Sequence, residues 1–274
     1  MAYATINGVE LFYAEQGTGE PVIFHHGYTG SHDNYETAAA LLAPRYRCIV
    51  MDCRGAGDSA RPESGHTIEQ YAADVIGMAD HLGLDRFSYV GHSMGGVIGM
   101  ELGINHAGRL NKLVLVAPAP ANGMQVPAGV RERALALRAA QDRETLLRER
   151  KALSARHRPE EAHIRSMERA LSVSDAHYEQ SFDALVTSAR GDRLGEITVP
   201  TLMMAGAADG LLPANLADFR RLPNATLHVF SRVSHGIPYE VPDEFAEVVA
   251  DFLEHGVVTA ATLQAALLAT TPAR

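Results

Sequence analysis

The sequence predicts an α/β protein built on an open, mostly parallel sheet. Two observations predict it. Short apolar runs alternate with helical patterns over most of the 274 residues, and several of those runs are apolar on both faces. Alternation of this kind pairs strands through helical crossovers, and strands so paired are buried on both sides. A chain of this length can bury a substantial core as one domain.

The elements follow in order. Asn7-Gly8 is a turn signal between Tyr3–Ile6 and Val9–Ala14, so the chain opens with an antiparallel pair. Gly17-Thr18-Gly19 breaks the chain before the strand Pro21–Phe24. Further strands are expected at Cys48–Met51, Phe87–Val90, Leu113–Val116, Thr201–Ala205 and Leu227–Phe230. Helices are expected near Asn34–Leu42, Thr67–Leu82, Met94–His106 and Pro213–Arg220, with a last sheet-packing helix near Asp243–Leu253. Between about Pro118 and Glu196 the alternation stops. That segment opens on Pro118-Ala119-Pro120 and turns helical, with Leu135, Leu146, Leu153, Met167 and Leu171 as its apolar positions. It leaves after the sixth strand and returns before the seventh, so residues 118–196 are expected as a helical insertion in a core of residues 1–117 and 197–274. Between Arg131 and Arg169 the insertion is basic, with eleven basic residues against seven acidic ones. Such a stretch forms a solvated surface laced with pairs such as Glu144 with Arg148, or a field that attracts anionic substrates. A tail, Val257–Leu268, carries Ala260, Leu263, Ala266 and Leu267 at helical spacing. It reads as a helix on the body, a frayed end or a dimer contact, so a monomer or a homodimer is expected.

Bulk chemistry narrows the function. The net charge is −9 and the pI about 5.8, which argues against a nucleic-acid binder, since that needs a basic face. No apolar run approaches the roughly 18 residues of a membrane span. The start, Met-Ala-Tyr-Ala-Thr-Ile-Asn, lacks a basic region followed by an apolar one, so no signal peptide and a cytoplasmic location are expected. Cys48 and Cys53 lie in or just after one strand, too far apart along it for a disulfide, and read as reduced structural thiols.

The strongest chemical signal is Phe87-Ser88-Tyr89-Val90-Gly91-His92-Ser93-Met94-Gly95-Gly96: an apolar strand, then G-x-S-x-G, then a helical pattern. A sharp strand-to-helix turn at this point would project Ser93 above the carboxyl edge of the sheet, where open α/β folds hold their ligands. Gly91 and Gly95 let the crossing backbones approach. A serine needs a base, and thirteen histidines are present. His92 lies inside the turn and should point away from Ser93. His235 follows the last strand in Ser231-Arg232-Val233-Ser234-His235-Gly236 and can reach the mouth of the sheet. Asp209, in Gly206-Ala207-Ala208-Asp209-Gly210 after the strand Thr201–Ala205, is placed to orient it, although an aspartate beside glycine also suits a plain turn. The order Ser, Asp, His is the one this architecture uses. An oxyanion hole needs two N–H donors. The Met94 amide follows the nucleophile directly, and the Tyr28 amide in His25-His26-Gly27-Tyr28-Thr29-Gly30 is the second candidate, with the Tyr28 hydroxyl a further candidate for the pocket.

With these motifs in order, together with Asp52-Cys53-Arg54-Gly55-Ala56-Gly57-Asp58-Ser59 and His235 followed by Glu240, Pro242 and Phe245, the chain resembles the α/β-hydrolase superfamily over nearly its whole length. The resemblance implies an eight-stranded sheet and a helical cap corresponding to the insertion. It implies that Asp52 and Arg54 belong to a structural loop. Two positions depart from the pattern: Ala56 stands where many members carry His, and Ser234 precedes His235 where Gly is common.

On this reading the protein is a serine hydrolase of a small carboxylic ester or lactone, with Ser93 as nucleophile, His235 as base, Asp209 as orienting acid and no metal or organic cofactor. The expected partner is a small ester-like molecule, with neither nucleic acid nor membrane. His26, His92, Met124, Met167, Tyr178 and Phe182 are candidates for the substrate pocket. Carbon–carbon hydrolysis, cofactor-free peroxidation or hydroxynitrile cleavage on the same triad are alternatives, because fold does not fix reaction. A slow-turnover ligand receptor is a further one.

Overall fold

The computed structural model describes residues 1–260 and 262–264. Eight strands form: β1 (Ala2–Ile6), β2 (Val9–Gln16), β3 (Glu20–His25), β4 (Tyr46–Met51), β5 (Phe87–His92), β6 (Leu110–Val116), β7 (Thr201–Gly206) and β8 (Ala225–Phe230). They make one sheet in the order β1-β2-β4-β3-β5-β6-β7-β8. β1 and β2 pair antiparallel through the Asn7-Gly8 turn, and β2 pairs antiparallel with β4; every later pairing is parallel.

Side chains along the inner strands alternate between two cores. In β6, Leu113 and Leu115 face one side while Val114 and Val116 face the other; in β3, Ile23 opposes Val22 and Phe24. This period of two, apolar on both faces, is what a parallel sheet between two helical layers requires. One layer holds α2 (Ile68–His81) and α3 (Met94–Asn105). The other holds α1 (Glu36–Leu42) and α10 (Pro242–His255). The cap of α2 follows the usual chemistry, Thr67 accepting from the Gln70 amide. The expected helix at Asn34–Leu42 is split. A 3-10 turn, His32–Tyr35, precedes α1, because Asn34 Oδ1 accepts the Ser31 amide and Tyr35 is drawn into the core.

Between β6 and β7 lie four helices: α4 (Val130–Ala139), α5 (Arg143–Ala152), α6 (Glu160–Ser172) and α7 (Asp175–Val186). The remaining helices are α8 (Leu212–Phe219) and the short α9 (Ile237–Glu240). The expected Glu144–Arg148 pair does not form. Arg148 donates to Thr145 instead, and the ion pairs run between helices, Arg133 to Glu149 and Arg143 to Glu168. Packing α5 between its neighbours brings their charges closer than those one turn along. Leu153, read as an apolar helical position, is 75% exposed. Of the tail Val257–Leu268, residues 257–260 and 262–264 are described, with Leu263 62% exposed, while Ala266 and Leu267 lie outside the described residues.

Cys48 and Cys53 are both buried free thiols. The loop after β4 is rigid. Asp52 accepts from the His32 amide at 2.6 Å, the His32 ring at 2.7 Å and the Asp58 amide at 2.8 Å. Arg54 forms a two-pronged bond to Asp74 at 2.6 and 2.7 Å, with both side chains nearly inaccessible. Removing one member of a buried pair leaves the other charge uncompensated. Arg54→Met should therefore lower the unfolding free energy by about 3–5 kcal/mol, measured by urea titration at neutral pH; a loss within the error of that titration would show that Asp74 finds other partners.

Candidate active site

β3 is the strand from which the chain winds first to one side, to β4, and then to the other, to β5. The loops leaving the carboxyl ends of β3 and β5 therefore diverge, and a crevice opens between them. His25 is in register with Gly91 there. The loop after β3 carries Tyr28, and the turn after β5 carries Ser93.

Ser93 has φ 56° and ψ −111°, in a region that side chains avoid. The turn is held from several directions. The Ser93 amide donates to the Val116 carbonyl at 2.9 Å, and the Ser93 carbonyl accepts from Gly96 and Ala119. The glycines are obligatory here. A Cβ on Gly91 would meet the Gly95 carbonyl at 2.1 Å, and one on Gly95 would meet that of His25 at 2.4 Å.

Three side chains meet in a line. Ser93 Oγ lies 2.9 Å from His235 Nε2, and His235 Nδ1 lies 2.8 Å from Asp209 Oδ2. With Asp209 ionised, Nδ1–H donates to it and Nε2 is left to accept from the serine. Burial would raise the Asp209 carboxyl, but the hydrogen bond and charge of His235 and the Leu211 amide hold it below its ordinary value. Its side chain is 6% exposed while that of His235 is 38% exposed, so solvent or a ligand reaches the imidazole but not the carboxylate.

Neither the Tyr28 nor the Met94 amide donates to a protein acceptor among the described residues. Met94 begins α3, where first-turn amides have no intrahelical partner. The Tyr28 hydroxyl, expected near the pocket, donates instead to the Tyr178 carbonyl of α7. Its ring packs 5.4 Å from Tyr178 and 6.2 Å from Phe182.

The other candidates separate. His26 is fully buried. Its Nδ1 donates to the Gly27 carbonyl and its Nε2 accepts from the Cys53 amide, so it braces the loop and has no nitrogen for a ligand. His92 is buried behind His235, donating Nε2–H to the His235 carbonyl at 2.7 Å with the rings 4.8 Å apart. Both act as supports rather than pocket walls. Met167 and Tyr178 line a cavity of about 140 Å³ with Tyr28, Thr29 and Arg150. Phe182 lines a smaller one beside it with Arg131. Met124 packs on the core and lines neither of these cavities. A cleft of about 790 Å³ lies on the other side of the Tyr28 loop, between Gly30, α6 and Tyr239.

Several supports were not read from the sequence. Ser234, one of the two departures from the family pattern, bonds Glu240 through both its amide and its hydroxyl, tying the His235 loop to α9. Tyr71 bonds His177 and Ser181 of α7, and Arg169 of α6 bridges Asp33 and Asp58. These contacts are long-range, and no local pattern signals them. Among the described residues, the ligand atoms of His32, Asp52 and Asp58 lie within 4.8 Å of one another. The Asp52 carboxylate is already saturated by the loop bonds, and Asp58 pairs with Arg169.

The comparisons agree with this architecture. Residues 20–242 match the profile of the alpha/beta hydrolase fold, and the chain belongs to that family of enzymes. It is 33% identical to a non-heme haloperoxidase of Rhodococcus erythropolis over 84% of this chain and 91% of the relative. It is 28% identical to a 2-hydroxy-6-oxononadienedioate/2-hydroxy-6-oxononatrienedioate hydrolase of Dechloromonas aromatica, covering 90% and 91%. Among solved structures, an esterase from Exiguobacterium antarcticum superposes with a TM-score of 0.82 at 26% identity, covering 92% of this chain and 98% of that one. Est816, described as an N-acyl homoserine lactone degrading enzyme, gives 0.78 at 29% identity, covering 92% and 100%. No helix among the described residues is long and apolar enough to cross a membrane.

Burial and the neighbouring His235 lower the His92 pKa to about 3. The unfolded chain therefore takes up this proton first, near its ordinary pKa of about 6.5. The stability is complete above that pH and is lost as pH falls toward 3. Replacing His92 by Gln should shrink the difference in unfolding free energy between pH 7 and pH 5 by about 2 kcal/mol, checked by urea titrations at both values.

Proposed function

We propose that this enzyme hydrolyses a small carboxylic ester or lactone through an acyl-enzyme on Ser93. The observation that carries the reading is the continuous chain from Ser93 Oγ through His235 to the buried Asp209. His235 Nε2 takes the serine proton as Oγ attacks the carbonyl carbon. The tetrahedral oxyanion is met by the Met94 and Tyr28 amides, which have no other acceptor among the described residues. The intermediate collapses, His235 returns the proton to the leaving oxygen, and the acyl-enzyme forms. Water then enters and gives a proton to the same nitrogen as its oxygen adds to the acyl carbon; the bond to Oγ breaks, His235 returns the proton to Ser93, and the acid leaves. Asp209 keeps the imidazole in the productive tautomer and stabilises its charged form. This chemistry calls for no metal or organic cofactor. The helical segment over Tyr28 acts as the cap, with Met167, Tyr178 and Phe182 as its contribution to the substrate pocket. Structural likeness to an esterase and a lactone-degrading enzyme supports the substrate class.

The 33% identity to a haloperoxidase favours a second reading, in which peroxide in place of water takes the acyl group. Hydrolysis of p-nitrophenyl esters from acetate to octanoate tests the first. Sustained turnover is expected, lost in Ser93→Ala with folding retained. Asp209→Asn should lower kcat by roughly 10³–10⁴. A single burst without turnover would point to a receptor, and peroxide-dependent product alone would favour the second reading.

A further inference from the structure

Two arginines of the helical segment stand apart from the rest of its basic residues. Most are paired: Arg133 with Glu149, Arg138 with Asp175, Arg143 with Glu168, Lys151 with Glu160 and Arg169 with Asp33 and Asp58. Arg150 and Arg158 form no ion pair among the described residues, yet neither side chain is free in solvent. Burial pushes both guanidinium groups below their ordinary pKa, and no hydrogen-bonded carboxylate pushes back. The acid nearest Arg158, Glu240, is committed to Ser234. Arg150 donates one bond, to Ser166 Oγ at 3.0 Å. The Arg158 guanidinium carbon lies over the Tyr239 ring, 4.3 Å from its centre.

Both groups are linked to Ser93 and His235 through the residues that surround them. Tyr239 meets His92 edge-on at 6.0 Å, and His92 packs on His235. Arg158 therefore sits on a ring that abuts His92, the support beneath His235. Arg150 lines the cavity that contains Tyr28 and Tyr178, on the oxyanion side. The Ser166 that it holds lines the neighbouring cleft together with Arg158 and Tyr239. The two guanidinium groups thus border adjoining hollows on either side of the Tyr28 loop.

A partly desolvated cation without a counter-charge is costly, and the arrangement is relieved when a ligand brings the anion. Guanidinium offers a planar fork that matches a carboxylate, and most of the donors on Arg150 and Arg158 are unused. We propose that Arg150 and Arg158 recognise a free carboxylate on the substrate, so that the preferred ester or lactone is an anion whose charged end lies under α5 and α6 while its carbonyl reaches Ser93. This rests on the ester-hydrolase reading and specifies its substrate class.

Kinetics with p-nitrophenyl hexanoate and mono-p-nitrophenyl adipate test it, since the two esters differ by a terminal carboxylate. The native enzyme should favour the adipate ester through a lower KM. In Arg158→Met and Arg150→Met, the ratio of kcat/KM for adipate over hexanoate should fall roughly ten- to hundredfold, chiefly in KM. Methionine of similar reach removes a desolvated charge, so the thermal midpoint should hold. A ratio unchanged in both variants overturns the proposal. Calorimetry on Ser93→Ala separates the two readings. Monomethyl adipate should bind more tightly than methyl hexanoate, and adding Arg158→Met should abolish the difference. If that holds while no ester is turned over, the anion site stands and the ester chemistry falls. If hexanoate is turned over but neither kinetics nor binding distinguishes the carboxylate, the ester chemistry stands and the anion site falls.

Discussion

The backbone of Ser93 is the constraint on which the rest of the molecule depends. Its left-handed conformation costs on the order of 1–3 kcal/mol, and it persists because its neighbours over-determine it. The amide is held by β6 and the carbonyl by both the first turn of α3 and the chain leaving β6. The glycines on either side let β5, α3 and the end of β3 approach to contact distance. The strain thus ties three parallel strands to one register. The same register sets the Tyr28 amide opposite the start of α3. A slip of any of these strands would separate the hydrogen-bond donors from the serine.

His235 is positioned by a different means. His235 stands on a loop, and loops hold position only as well as their anchors. Here the anchors are His92 beneath its carbonyl, Asp209 at its ring and the Ser234–Glu240 link behind it. Burial keeps His92 neutral, so it donates one proton to a carbonyl and adds no positive charge beside the imidazole. His26 plays the equivalent part under the Tyr28 loop, with both nitrogens given to the main chain. Two histidines next to a catalytic-looking serine thus serve as framework, and a third faces the crevice.

The helices between β6 and β7 meet the core through a few apolar residues, Val173 and Leu185 among them, and through several polar contacts. Tyr28 reaches the Tyr178 carbonyl, Tyr71 reaches His177 and Ser181, and Arg169 spans Asp33 and Asp58. Helices α4 and α5 contain no fully buried residue. Segments with few buried apolar contacts open at lower free energy than the core, which suits a cover over a site that must admit substrate. The same scarcity of apolar packing leaves room for charged side chains such as Arg150 and Arg158 to face inward.

The sequence by itself determined the eight strands and the helices of the core, because apolar periodicity is a local property written into each element. It also marked Ser93, Asp209 and His235 as the candidate site, since each follows a strand in a loop whose glycines mark a turn. Boundaries such as the start of β6 at Leu110, three residues before its apolar run, were not legible, because hydrogen bonding to a neighbouring strand extends a strand beyond its own pattern. Only the tertiary structure decided that His26 and His92 are framework, that Glu144 has no partner in Arg148, and that Arg150 and Arg158 go unpaired although they are drawn out of solvent. Those outcomes depend on which distant side chain comes within about 3 Å, and sequence separation carries no information about that distance.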